Sequence, residues 1–435
     1  MGKNVFREEG IAVSYELKIK SGRVYQEGGF KELEIGIKDG RIAGVGLDLP
    51  QGKEEEDFGN NMVIPGVIDG HVHFREPGDT EKEDFRSGSR AAVRGGVTTV
   101  VDMPNNDPPI KTEKLFREKK RSLEVKSLVN FALYSGIPKD LTEIRPILKA
   151  GAVGFKYYMA EEEVDMEELT RRIDESGALL AVHAEDPEYL LPFGSPEGPS
   201  EYLDSRPAEA EISAVSKLMN DRPERLHVVH VTLPETVSRL GDKVTQEVTP
   251  HHLILSRADL KLDDFKAVTN PPIRNSDEVS GLQECFSSGK IKMIASDHAP
   301  HRPGEKLTDN PEIASPGIPG VETILPLSLT YARENNLPIS LPIEALTARP
   351  AEVFGFSKRG RIKEGYWADL TVVESEVSRK IRGENFFSKA RVTPFEGHEV
   401  SYWPQVTYVN GTQIYREGKL NESATGDFLG GSLNV

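Results

Sequence analysis

Eight short apolar runs of β character recur through the middle of the chain, separated by amphipathic segments: Val63–Asp69, Val97–Asp102, Leu128–Tyr134, Val153–Tyr158, Leu179–His183, Leu226–His230, Val244–Val248 and Ile291–Ile294. Between them, Glu113–Leu123, Met166–Glu175, Ala208–Met219 and Asp277–Ser287 carry apolar residues at helical spacing. Strict βα alternation predicts a parallel sheet, and eight units predict its closure into a barrel. The fold class expected is therefore α/β, a (β/α)8 TIM barrel.

The two ends of the chain read differently. Ile11–Ile19, Leu33–Lys38 and Arg41–Val45 are β-rich, and Lys38-Asp39-Gly40-Arg41 predicts a hairpin turn. The acidic run Glu54–Asp57 predicts a solvated loop. Beyond residue 357 β character returns in Gly365–Val373 and Gln405–Val409. The two ends are expected to pair into one composite β-sandwich module, residues 1–62 with 358–435, beside a barrel spanning 63–357. The stretch His301–Gly320, rich in Pro and Gly, interrupts the alternation, and a long loop in a compact domain is usually functional. Its Pro303–Pro311 part is a candidate to close over a ligand.

The 435-residue chain has a formal charge of −16. That balance disfavours general binding to nucleic acid or to anionic membranes. No run approaches the roughly 18 apolar residues that span a bilayer. Met1–Gly10 lacks the apolar core of a secretory signal, and the single cysteine, Cys285, allows no intramolecular disulfide. These features predict a cytoplasmic protein acting on a small molecule, with homo-oligomerisation left open. Cys285 reads as core packing.

The chemistry concentrates at the ends of the β runs. His71 and His73 close the first run two residues apart, so both imidazoles face one side of a strand. His183 ends the fifth run, His230 the sixth, and Asp297 follows the eighth. A barrel gathers the C-terminal ends of its strands around one mouth. Each residue alone is more often structural, but together they predict a metal site. Lys156 follows Gly151–Phe155, in the fourth run. Its ordinary reading is a snorkelling or ion-paired lysine. Burial beside cations would instead leave a neutral amine able to add carbon dioxide. Arg75, two residues past His73, suits a carboxylate. Asn105, Asn270 and His301 lie in loops after strands and are candidate substrate contacts.

In combination, Asp69-Gly70-His71-Val72-His73-Phe74-Arg75-Glu76-Pro77-Gly78 and Ala295-Ser296-Asp297-His298-Ala299-Pro300-His301 resemble the metal-binding signatures of dihydroorotases, a group within the cyclic amidohydrolases. Met103-Pro104-Asn105-Asn106, Gly154-Phe155-Lys156, Ala181-Val182-His183-Ala184-Glu185, His230-Val231-Thr232 and Asn270-Pro271-Pro272-Ile273-Arg274 follow in that family's order, over roughly residues 60–370. The resemblance implies two Zn2+ ions. His71, His73 and Asp297 would hold one, and His183 and His230 the second. An N6-carboxylated Lys156 and a hydroxide would bridge them, lysine rather than aspartate marking the carbamate branch. Arg75, Asn105 and His301 match carboxylate-holding positions. Asn270 and the backbone at Pro316-Gly317 match contacts to a pyrimidine ring. The implied reaction is the reversible cyclisation of N-carbamoyl-L-aspartate to L-dihydroorotate with loss of water, with Asp297 as the proton carrier, in pyrimidine biosynthesis.

Two other readings compete. Allantoinases and hydantoinases share the metal set and differ in substrate contacts; Arg75 and His301 favour dihydroorotase. A non-catalytic scaffold homologue would have lost metal ligands, and all six are present here. His251 and His252 are read as outside the inner ligand set, His227 as packing or polar satisfaction, and His298 as support behind the site. Ser205-Arg206-Pro207 reads as a helix cap and first turn.

Overall fold

The computed structural model describes residues 15–191, 199–260, 265–308 and 314–431. Eight parallel strands pair in sequence order: Val67–Val72, Val97–Asp102, Asn130–Gly136, Gly154–Tyr158, Leu180–His183, Leu226–Val228, Thr245–Val248 and Met293–Ile294. The ends of this sheet approach each other. Val72 bridges to His298, and His73 N–H donates to His298 O at 2.9 Å. The result is a nearly closed barrel wrapped by helices, as the alternation predicts. Local chemistry sets the helix ends. Thr112 caps Glu113–Leu123 by accepting from Leu115 N–H, and Asp165 caps Met166–Ser176 by accepting from Glu168 N–H. Gly177, at φ 67°, stops the latter helix in the left-handed region where a side chain is disfavoured. A second core cluster draws Ile68, Val101, Ala132, Ala181 and Met293 from five of the eight strands, with Val229 just beyond a sixth, and includes Phe354. Gly70 belongs to this packing, because a Cβ there would lie 2.3 Å from Met293 and 2.9 Å from Phe354.

The chain ends do combine into one mixed sheet, of nine strands. Glu399–Val409, Leu370–Lys380, Met62–Pro65, Tyr15–Gln26 and Gly29–Lys38 lie side by side in it. Residues 11–14 of the first expected strand lie outside the described residues. Two expectations need correction. The run Val63–Asp69 is not one barrel strand. It divides at Gly66: Met62–Pro65 pairs with Leu370–Lys380 in the companion sheet, while Val67–Val72 enters the barrel. Thr98 sits where a Gly66 Cβ would go, 2.2 Å away, so only glycine lets the chain pass between the sheets. The acidic run is not a loop either. Gly52–Asp57 is a strand parallel to Tyr15–Gln26. Backbone pairing supplies its order, while Lys18 (3.3 Å from Glu55) and Arg416 (paired with Glu56) offset its charge.

Residues 424–431 return from the companion sheet to the barrel. Phe131 N–H donates to Asp427 O at 2.9 Å, and the Phe428 ring centroid lies 5.4 Å from that of Phe131. Cys285 is buried in the main core, as expected. Ser205 does not cap the following helix: its hydroxyl donates to Tyr202 O, and the cap position is Pro207. In the interrupting segment, Pro303–Lys306 forms one helical turn, and residues 309–313, which include the end of the Pro303–Pro311 stretch expected to close on a ligand, lie outside the described residues. Among the described residues no helix is long and apolar enough to cross a membrane.

Candidate active site

The twelve residues singled out in the sequence all line one cavity of about 370 Å³ at the C-terminal ends of the barrel strands. His71 and His73 leave the first strand on the same side, with their Nε2 atoms 3.2 Å apart. Asp297 Oδ1 lies 3.2 Å from His71 Nε2 and 3.1 Å from His73 Nε2. Across the mouth, His183 Nδ1 is 3.0 Å from His230 Nε2. The ligand atoms of His71, His230 and Asp297 all lie within 4.8 Å of one another. This buried trio straddles the two ligand sets expected from the sequence, because the sixth and eighth strand ends converge on the first.

The outer nitrogens of these rings fix which atom faces the centre. His71 Nδ1 donates to Glu247 Oε1 at 2.6 Å, since a carboxylate can only accept. His71 Nε2 therefore carries a lone pair. His73 Nδ1 donates to Asn105 Oδ1 at 2.7 Å, which leaves the same for its Nε2. His183 Nε2 donates to Glu185 Oε2 at 2.6 Å, so Nδ1 is its inward lone pair. Burial opposes ionisation of Glu247 and Glu185. His71 and His227 outweigh it for the first, His183 and Arg206 for the second, and each carboxyl is held down at about 2. Two imidazole lone pairs thus face a carboxylate oxygen at about 3 Å. Acceptors facing acceptors in a dry site repel unless a cation lies between them, and this donor set fits one.

Lys156, on the fourth strand, is fully buried, and its Nζ has no hydrogen-bond partner among the described residues. Burial pushes its ammonium down to about 7, so a substantial fraction is neutral amine near neutral pH. His230 Nδ1 is likewise buried with no hydrogen-bond partner among the described residues. Arg75, His230 and Asp297 adopt φ of 51°, 37° and 46°. Non-glycine residues in that region are uncommon and gather where surrounding contacts hold a functional geometry.

The substrate-side residues form one wall. Arg75 Nη2 lies 3.4 Å from His301 Nε2, which donates to Pro316 O at 2.9 Å. Burial, then the Arg75 charge, push His301 down to about 2, so it stays neutral. Gly317, at φ 143°, packs so closely that a Cβ would lie 2.6 Å from Ala299 O. Its N–H is already spent on Val268 O, so Pro316-Gly317 meets a ligand as a surface rather than through that donor. Asn270 Oδ1 accepts from Tyr202 Oη.

Reading the sequence missed Glu247, Tyr158 and Arg206. A glutamate inside an apolar barrel strand is a signal for Glu247. Spacing two residues beyond Lys156 is one for Tyr158. Arg206, read as part of a cap, instead grips Glu185 with Nη2 at 2.5 Å. Three further histidines are held by hydrogen bonds. His227 Nε2 lies 3.2 Å from Glu247 Oε2, and His252 Nε2 donates to Pro271 O at 3.0 Å. His298 accepts Gly320 N–H at 3.2 Å behind Asp297.

A barrel mouth carrying this cluster defines a metal-dependent hydrolase, and the chain belongs to the amidohydrolase family, whose model matches residues 62–414. Within it the chain is a cyclic amidohydrolase. It is 34% identical to a dihydroorotase of Methanosarcina acetivorans, over 96% of each chain. It is 31% identical to an allantoinase of Solibacter usitatus, over 97% of this chain and 98% of that one. The L-hydantoinase of Arthrobacter aurescens superposes with a TM-score of 0.87 at 29% identity, covering 93% of this chain and 97% of its own.

Proposed function

We propose that the protein is a dihydroorotase, interconverting L-dihydroorotate and N-carbamoyl-L-aspartate. The observation that carries this reading is the cavity wall of Arg75, Asn105 and His301 beside the histidine–aspartate cluster. Asn105 spends its carbonyl on His73, which leaves its amide N–H groups for a ligand. A buried guanidinium flanked by an amide suits a carboxylate. Dihydroorotate carries one; allantoin and hydantoin do not. The 34% identity to dihydroorotases supports the same choice over allantoinases at 31–32%.

In this reading His71, His73 and Asp297 would hold one zinc and His183 and His230 a second. The Lys156 amine, after adding carbon dioxide and losing a proton, would stand between them. Zinc bound there polarises the ring amide carbonyl and acidifies a water molecule. Arg75 and Asn105 anchor the substrate carboxylate and turn the ring so that this amide faces the cluster. Asn270 and the Pro316-Gly317 surface hold the ring. Asp297 takes the proton of the attacking water and delivers it to the departing ring nitrogen, and microscopic reversibility gives it the same duty in cyclisation.

The test is turnover of L-dihydroorotate by zinc-loaded protein, with allantoin and hydantoin in parallel. Hydrolysis of dihydroorotate alone, lost in Asp297→Asn, is the expected result. Turnover of only allantoin or hydantoin would overturn the substrate assignment and keep the class.

A further inference from the structure

Tyr158 ends the strand Gly154–Tyr158, two residues after Lys156, and so projects to the same side of the barrel. It pairs in register with His183, and the two ring centroids lie 6.3 Å apart. Lys156 Nζ sits 5.1 Å from the centre of the phenol ring. Tyr158 lines the same cavity as the ligand cluster and Arg75.

Its hydroxyl oxygen is buried and has no hydrogen-bond partner among the described residues, and the same holds for Arg75 Nε. A buried polar group without a partner is unfavourable and is uncommon unless a ligand completes it. A tyrosine hydroxyl carries its proton at neutral pH, so the group is available as a donor. The cavity thus offers two unspent donors, one neutral and one cationic, beside the Asn105 amide. That array matches an anion with several lone pairs better than the single carbonyl oxygen of a neutral imide.

We propose that the Tyr158 hydroxyl contacts the substrate directly, donating to the carboxylate held by Arg75, and thereby helps select cyclic amides bearing a carboxylate over neutral ones. This assignment rests on the dihydroorotase reading. It adds a specificity-determining group on the fourth strand to the wall formed by the first, second and eighth strand ends.

The experiment uses Tyr158→Phe in zinc-loaded full-length protein. Two ligands with the same ring are compared by calorimetry, orotate with its carboxylate and 5,6-dihydrouracil without it. Steady-state kinetics with L-dihydroorotate and zinc content are measured alongside. The expected result is a rise of about tenfold or more in the orotate Kd and the dihydroorotate KM, as for loss of a charge-assisted hydrogen bond. The dihydrouracil Kd, the zinc content and kcat should stay within about threefold, a margin worth less than one such bond. Unchanged orotate affinity in the variant, equal losses for both ligands, or a fall in kcat with KM unchanged would each overturn the assignment while leaving the dihydroorotase reading intact. A wild-type protein that turns over hydantoin and ignores orotate and dihydroorotate would overturn both.

Discussion

Glu247 Oε1 lies 2.6 Å from Nδ1 of His71, with both side chains buried, although 176 residues separate them. The second oxygen of the same carboxylate lies 3.2 Å from His227 Nε2. One buried anion on the seventh strand therefore sets the tautomer and ring orientation of a candidate ligand on the first. Outer partners of this kind raise ligand basicity and are typically worth one to two orders of magnitude in metal affinity.

Glu247→Gln should weaken zinc binding about 10- to 100-fold while preserving the fold, because the amide keeps the volume but loses the charge that fixes His71 Nδ1–H. Competition with a chromogenic chelator measures the affinity, and circular dichroism checks the fold. An unchanged affinity would remove Glu247 from any role at the centre.

Arg75→Ala should raise the KM for dihydroorotate by roughly 10- to 100-fold, the range expected when a carboxylate loses a charge-assisted partner. Arg75→Lys should recover only part of this, since an ammonium lacks the planar fork. Kinetics indistinguishable from wild type would take Arg75 out of the substrate wall.

Lys119 Nζ is fully buried, 2.5 Å from Asp102 Oδ2 and 2.7 Å from Asn106 Oδ1, and Asp102 Oδ1 accepts Phe74 N–H at 2.8 Å. This ion pair ties the loop of Asn105 to the backbone between His73 and Arg75. Lys119→Met should cost about 3–5 kcal/mol by stranding the Asp102 charge, and Lys119→Met with Asp102→Asn should regain part of it. Urea denaturation of the two variants decides. A single variant as stable as wild type would refute the brace.

Asp84 caps the helix Phe85–Arg94 and lies 2.5 Å from Lys389 of the C-terminal segment. Burial opposes its ionisation, but the Lys389 ammonium and Ser87 N–H prevail and lower its pKa. A depressed carboxyl contributes stability that is present above its unfolded value, about 3.9, and is lost as pH falls through the folded value. Wild type should therefore be more stable than Asp84→Asn from pH 5 to 7 by about 1 kcal/mol or less, read as a higher Tm, as befits a partly exposed pair. The gap should close below about pH 4 as the carboxyl protonates. A gap constant down to pH 3 would mean that its origin is packing.

Much of the site was legible before folding was considered. His71-Val72-His73 can face one point because a strand repeats every two residues. His183, His230 and Asp297 can join them because eight βα units bring their strand ends to one mouth. The helix Glu113–Leu123 falls where the periodicity puts it, since caps and apolar spacing are local properties. Other features depended on partners distant in the chain. Nothing within Val63–Asp69 says that Gly66 divides it between two sheets; the Thr98 side chain decides that. Gly52–Asp57 becomes a strand because Tyr15–Gln26 offers an unpaired edge, an opportunity invisible in its own acidic composition. Arg206 looks like part of a cap until Glu185 lies beside it. Sequence determined which chemical groups the strand ends carry and on which side each points, because strand and helix periods are set within a few bonds. Only the tertiary structure decided how those groups are held, which nitrogen of each histidine faces inward and which donors remain unspent, because hydrogen-bond pairing is settled by neighbours that the folded barrel brings together from far along the chain.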